Sequence, residues 1–407
     1  SVGILLDTKG PEIRVKRFQK GKVQIKEGQK FTFMCQSDAI GDNTKVAITF
    51  GELYKDLKKG NTILVNDGLL QFTVDSIQGK NIVCTCVRGG TLSDQKSMNF
   101  PKLTLSLPYV SEIDRQDILF GIKQRVDFIA ASFVSSRDNV LQVRQILNEN
   151  GARNQIDIIA KIENNDGVEN IDEIFQVSQG DMGVEIPYAE LPGIQKMMVQ
   201  KARTMGRRCI VATEMLESMI HNPRPTRAET TDVANAVYDG ATAVMLSGET
   251  AAGKYPVECV QTMSRICQEA ERNLDYFGRL KKTPFAMIQD ITQSIAYGAC
   301  NAAYTLGAKL IIAYTSSGMT ARVVSRFRPQ CPIIAATFNE STFSKLGLTW
   351  GVEPYLVKKY DNIEQCLYTA EYIAFQHNLK IGDKYMVVAG LPISEGTNVL
   401  KLCTLTA

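Results

Sequence analysis

From Val126 onward, short runs of consecutive apolar residues alternate with stretches of helical period. The apolar runs are VDFIAASF (126–133), IDIIAKIE (156–163), RCIVATEM (208–215) and TAVMLSGE (242–249). Each is followed by a pattern such as DNVLQVRQILNEN, and the repeat of about 30 residues is that of a βαβ unit. Between the second and third runs the interval widens to about 50 residues. No apolar run fills it; VSQGDMGVEIP (177–187) stands where a strand is due. Residues 12–107 have another texture, with alternating stretches such as KVQIKEGQKFTFMC broken by glycine turns. They predict a small all-β domain, inserted because the parallel pattern lies on both sides of it, in 1–11 and 108–272. In 285–407, helical patterns alternate with the buried strands KLIIAYT, PIIAAT, EPYLV and KYMVVAG. That is a separate open α/β domain, joined through a linker at 273–284.

Composition narrows the function. A chain of 407 residues exceeds the roughly 250–300 at which single cores stop growing, so two or three domains are expected. A net charge of +3 gives no argument for nucleic acid or a membrane surface. The ten cysteines show no paired CxxC spacing, which points to a reducing, cytoplasmic setting; Cys84 and Cys86, at strand spacing, read as core. No apolar run reaches transmembrane length, and the opening SVGILLDTKG has no basic leader, so neither a membrane span nor a signal peptide is expected. With only two histidines, carboxylates and lysines must carry any chemistry.

In a (β/α)8 barrel, functional residues gather at the C-terminal ends of the strands. Polar residues fall at such ends here: Asp7 and Thr8, Ser132, Lys161 and Glu163, Asp181, Thr213, and Ser247 with Glu249. Lys161 and Glu163 are two apart in a strand and so share a face. A salt bridge closing the strand end is one reading; a site for an anion and a metal is the other. Glu163 and Asp181 are hard oxygen ligands of the kind Mg²⁺ takes, and Lys161 offers charge to an oxyanion or a transferring phosphoryl group. YTSSGMTARVVSRFRP (314–329) places a Ser/Thr/Gly loop before a helix, the makings of an anion site.

DTKGPEIR (7–14), KIEN, GDMGVEIP, NPRPTRAE and MLSGETAAGKYP, in this order along the whole chain, closely resemble the pyruvate kinase family. The resemblance implies a (β/α)8 barrel with an inserted β lid and a C-terminal regulatory domain, and transfer of a phosphoryl group from phosphoenolpyruvate to ADP. By motif, Glu163 and Asp181 would hold Mg²⁺ (or Mn²⁺), and Lys161 would stabilise the transferring group and the enolate. Gly180, Asp181, Thr213 and Ser132 would bind substrate, Thr213 helping to deliver the proton. Arg14 would meet nucleotide phosphate, with Asp67 and Lys96 reaching from the lid. Asp7 and Thr8 match ligands of K⁺, and glutamate at Glu12 goes with K⁺ dependence in the family. Thr315, Ser316, Ser317, Gly318 and Thr320 match the effector site; GLPISEGTN lacks the basic and tryptophan residues of the fructose-1,6-bisphosphate binders, so a monophosphate or a bisphosphate is open. The stretch 221–236 suggests a subunit contact and a homotetramer.

The sequence departs from the family in two places. The opening strands have no counterpart, and the residues before Gly180 are not apolar, with Gln179 where arginine is common. Six strands do not close an eight-stranded barrel, so the natural polypeptide is expected to carry further segments. Two other functions fit parts of the pattern: a lyase or aldolase acting on pyruvate enolates, and a non-catalytic sensor of phosphorylated ligands.

Overall fold

The computed structural model describes residues 2–66, 68–101, 103, 105–182, 189–284, 287–360, 362–390 and 396–406, without the side chains of 179–182. Two compact units divide it: one of Ser1–Thr8 with Gln116–Ala407, the other Lys9–Arg115.

In the larger unit, six parallel strands lie side by side in chain order: Leu5–Asp7, Phe128–Ala131, Asp157–Ile162, Gln179–Met182, Cys209–Val211 and Ala243–Val244. Phe128–Ala131 and Cys209–Val211 are buried throughout, as strands covered on both faces must be. Helices return the chain between them. Arg137–Glu149 starts on a capping box at Ser136 and Arg227–Asp239 on another at Thr226, each satisfying helix-end N–H groups reciprocally. This is six strands' worth of a (β/α)8 barrel; among the described residues its first and last strands do not pair.

The expected gap between the second and third apolar runs is filled. Gln179–Met182 forms a strand between Asp157–Ile162 and Cys209–Val211, with Gly180 opposite Ala160 and Cys209, and Asp181 opposite Lys161 and Ile210. Flanking ladders satisfy its backbone whatever its side chains are, which is why hydrophobic pattern did not reveal it.

Farther along the same unit, a second sheet runs in the order Val352–Leu356, Ile333–Thr337, Leu310–Tyr314, Lys384–Ala389, Val399–Thr404, parallel except for the last strand. Two apolar clusters cover its faces, one around Ala296, Ile311 and Val324, the other around Ile312, Tyr314 and Ile373. Among the described residues, no helix is long and apolar enough to cross a membrane.

The Lys9–Arg115 unit holds a seven-stranded, mainly antiparallel sheet and a two-stranded one. Alternating inward residues build a core of its own around Phe31, Phe33 and Phe72, with Phe33 edge-on to the other two at 5.3 and 5.2 Å between ring centroids. Cys84 and Cys86 are buried in it, and burial pushes the Cys84 thiol up to about 12.

Candidate active site

Alternation along Asp157–Ile162 puts Ile159 and Lys161 on one face. Ile159 joins Phe128, Ala130 and Ile210 in an apolar floor, and at the next level the strands end in polar groups. Lys161 Nζ lies 3.3 Å from both Asp7 carboxylate oxygens, 3.2 Å from Glu163 Oε1 and 3.0 Å from Ser132 Oγ. Ser132 Oγ is also 3.2 Å from Asp7 Oδ1 and donates to Thr8 O at 2.7 Å. Thr8, buried, donates from Oγ1 to Ala130 O at 3.2 Å and accepts from Ser132 N at the same distance. Five of the residues read from sequence are therefore one cluster, and Asp181 adjoins it through its backbone pairing with Lys161; the Asp181 side chain lies outside the described residues. Burial alone would pull the Lys161 ammonium down, but the carboxylates of Glu163 and Asp7 outweigh it and the net shift is upward. Lys161 is thus a firm cation over an apolar floor, where charge acts most strongly.

Backbone strain surrounds this cluster, and no sequence pattern announced it. Phe133 has φ 54° and donates its N–H to Glu163 Oε2 at 2.8 Å, fixing the carboxylate from the side away from Lys161. Thr213 and Glu214 are successive left-handed residues, φ 68° and 54°. For a β-branched threonine that conformation is an outlier, costing about 1–3 kcal/mol. Thr213 Oγ1 donates to its neighbour's carbonyl, Ala212 O, at 2.7 Å. Glu249, fully buried, accepts from Leu216 N at 3.0 Å and Ser247 N at 2.7 Å. It ties together the loops that follow two adjacent strands and is an anchor of the site.

Within the β unit, Glu12 and Arg14 pair at 2.7 Å, and Arg14 Nη1 donates to Gln95 O at 2.7 Å. Lys96 follows Gln95, and its carbonyl accepts from Val15 N at 3.0 Å. Glu12, Arg14, Lys16 and Arg17 line a cleft of about 870 Å³. Asp114, unremarked in the sequence, accepts from Lys9 N at 3.0 Å, Gly10 N at 3.3 Å and Ser111 Oγ at 2.7 Å, pinning the turn before Glu12. Asp67 lies outside the described residues.

In the C-terminal sheet, Leu310–Tyr314 leads through Thr315–Gly318 into helix Met319–Arg326. Gly318 caps that helix at φ 83°, a left-handed conformation that glycine adopts without the strain a side chain would add. Ser316 and Ser317 are exposed, while Thr315 and Thr320 are buried, Thr320 Oγ1 lying 2.8 Å from Thr397 Oγ1. Residues 391–395 of the closing loop lie outside the described residues.

Two family models match in sequence order: "Pyruvate kinase, barrel domain" over residues 1–260 and "Pyruvate kinase, alpha/beta domain" over 293–403. The chain belongs to the pyruvate kinase family. The pyruvate kinase of Clostridium acetobutylicum is 44% identical over 98% of this chain and 86% of its own length. That of Geobacillus stearothermophilus is 43% identical over 99% of this chain and 70% of its own. A solved pyruvate kinase structure from Cryptosporidium parvum superposes with a TM-score of 0.92 at 36% identity, covering all of this chain and 84% of that one. The reaction is the glycolytic one, phosphoryl transfer from phosphoenolpyruvate to ADP with release of pyruvate. Pyruvate kinases in general depend on a divalent metal and potassium. That reaction accounts for a site built of charges without histidine, since phosphoryl transfer rests on positioning and electrostatics.

Proposed function

We propose that the Lys161 cluster is where this transfer takes place. The carrying observation is the Lys161 ammonium held between Asp7 and Glu163 above an apolar floor. Lys161 stabilises negative charge on the transferring phosphoryl group and on the enolate oxygen it leaves behind. Ser132, Gly180, Asp181 and Thr213 bind the substrate, and the Thr213 hydroxyl passes a proton, through water, to the enolate carbon. Glu163 and Asp181 hold Mg²⁺ or Mn²⁺; Glu163 suits this because its carboxylate is fixed by Phe133 N–H, and such ions take one or two carboxylates beside substrate and water. The bound divalent ion supplies charge neutralisation at the phosphate oxygens.

Asp7 and Thr8 supply oxygen ligands suited to K⁺, Asp7 Oδ1 and Thr8 O being brought together by their shared contact with Ser132 Oγ. Glu12, held against Arg14, is the determinant of that requirement. In the 12–107 insert, Arg14, Lys96 and Asp67 bind ADP and ATP. In the 285–407 domain, Thr315, Ser316, Ser317, Gly318 and Thr320 take the phosphate of an allosteric metabolite. The stretch 221–236, much of it exposed, joins subunits of a homotetramer. The free cysteines accord with the cytoplasm.

Pyruvate formation from phosphoenolpyruvate and ADP with Mg²⁺, measured in K⁺ and in Na⁺, tests the reading. Turnover that collapses in Na⁺ is expected; equal rates with K⁺ absent would remove Asp7, Thr8 and Glu12 from their roles.

A further inference from the structure

Six arginines, Arg203, Arg207, Arg208, Arg322, Arg326 and Arg328, line one small cavity apart from the catalytic cluster. It lies where the end of helix Leu191–Thr204 and the start of strand Cys209–Val211 meet helix Met319–Arg326. Among the described residues only Arg208 has a carboxylate within ion-pair reach, Asp157, which Lys345 contacts as well at 3.3 Å. Four of the other guanidiniums turn to main-chain carbonyls. Arg326 Nε donates to Arg203 O at 3.1 Å, Arg328 Nη2 to Gly240 O at 2.7 Å, Arg207 Nη2 to Gln176 O at 2.9 Å and Arg322 Nη1 to Ser317 O at 3.1 Å. Carbonyls satisfy donors but supply only partial negative charge.

Donors also remain. Arg207 Nε, Arg328 Nε and Thr349 Oγ1 are buried, belong to residues that line this cavity and have no hydrogen-bond partner among the described residues. Unsatisfied buried groups are rare and call for an explanation. Charge crowding adds to the cost. Burial first, then Arg203, pushes Arg328 down to about 9, and burial, then Arg208, pushes Arg322 down to about 10, the attraction of Glu271 and Asp157 notwithstanding. Arg328 lies over the Trp350 ring at 4.5 Å, which offsets part of its charge; guanidinium does not give up its proton in proteins, and a bound anion would relieve the rest of the crowding. The space, about 30 Å³, exceeds the roughly 10–15 Å³ that one water needs and suits a single compact ion.

We propose that this cavity binds one tetrahedral oxyanion, inorganic phosphate or sulfate or the phosphoryl end of a monoester. Forked guanidinium donors match such oxygens. Arg322 gives the site a connection to the loop at 315–320, because its Nη1 already holds Ser317 O. The inference is independent of the roles assigned to Lys161 and its neighbours.

Calorimetric titration of the intact chain with inorganic phosphate, at ionic strength fixed by chloride, tests it. A saturable event is expected that Arg203→Gln weakens at least about ten-fold. The Arg203 guanidinium holds no carbonyl or carboxylate among the described residues, so the substitution removes charge without removing a tether. Thr349→Val, nearly isosteric, keeps every arginine and is expected to weaken the same event, which covers failure of Arg203→Gln to fold. A Ser316→Ala, Ser317→Ala double variant should leave it intact, separating this site from the 315–320 loop. Displacement of phosphate by glycerol 3-phosphate would assign a monoester ligand, and no displacement a free ion. Absence of any saturable event, an event unchanged in both cavity variants, or loss in the loop variant alone would overturn the proposal.

Discussion

Lys161 holds its charge because two carboxylates oppose the cost of its burial. If that charge acts on the transferring group, Lys161→Met should lower kcat by about 10²–10³-fold, the size of losing one preorganised electrostatic contact. The circular dichroism spectrum should be unchanged; kcat within a few-fold of the parent would mean the ion pair only closes the strand end. Glu249 makes the contrasting case. Its carboxylate is fully used by Leu216 and Ser247 N–H groups, so Glu249→Gln should cost stability, about 1–3 kcal/mol by thermal denaturation. Sequence marked both residues by position at strand ends, but only the contacts separate the charge left to act on substrate from the one consumed by backbone. Phe133 and Asp114 left no signal at all, since their contributions are a backbone N–H and a turn clamp, which any hydrophobic pattern conceals.

Among the elements, helix Arg227–Asp239 depends on its first turn. Thr226 and Glu229 cap it reciprocally, and Glu229 also accepts from Ser218 N and Oγ at 2.7 and 2.6 Å. Thr226→Ala should therefore cost about 0.5–2 kcal/mol. Burial raises the Glu229 carboxyl, yet the donors Ser218 and Thr226 outweigh it and the net shift is downward. A carboxyl lowered on folding binds fewer protons folded than unfolded, so its stabilisation is present above its ordinary value and fades as pH falls through the folded one. Denaturation midpoints of Glu229→Gln followed from pH 7 into the acid range should lose part of the parent's acid slope; parallel profiles would refute the linkage. The long helices and the continuous apolar strands were legible in advance because a period or a run of six to eight residues marks them. Gln179–Met182 was not, because its place is fixed by the neighbouring ladders.

For the whole molecule, the division into units carries its own prediction. The Lys9–Arg115 unit has a separate core in which Phe31, Phe33 and Phe72 interlock, so the excised segment should fold alone and melt cooperatively with a β-type spectrum. Phe72→Ala, leaving a cavity at a fully buried position, should cost about 3–5 kcal/mol and abolish that transition. A featureless melt of the excised parent segment would show that its core is incomplete without the rest of the chain. The larger unit is one body in which the six parallel strands and the five-stranded sheet share the arginine cavity, an arrangement that neither domain's pattern contains.

The sequence alone determined the family, the three textures of the chain and the identity of the charged groups at the strand ends, because periodicity, turn residues and ordered motifs are local properties written along the chain. Only tertiary structure decided which of those charges meet: Asp7 and Lys161 are 154 residues apart, and Arg208 and Lys345, the latter on helix Glu340–Leu346, are joined through Asp157. Contacts of that kind follow from strand register and helix packing, and electrostatics follows from the contacts, so the firm cation at Lys161 and the crowded arginines at Arg328 exist only once the chain is folded.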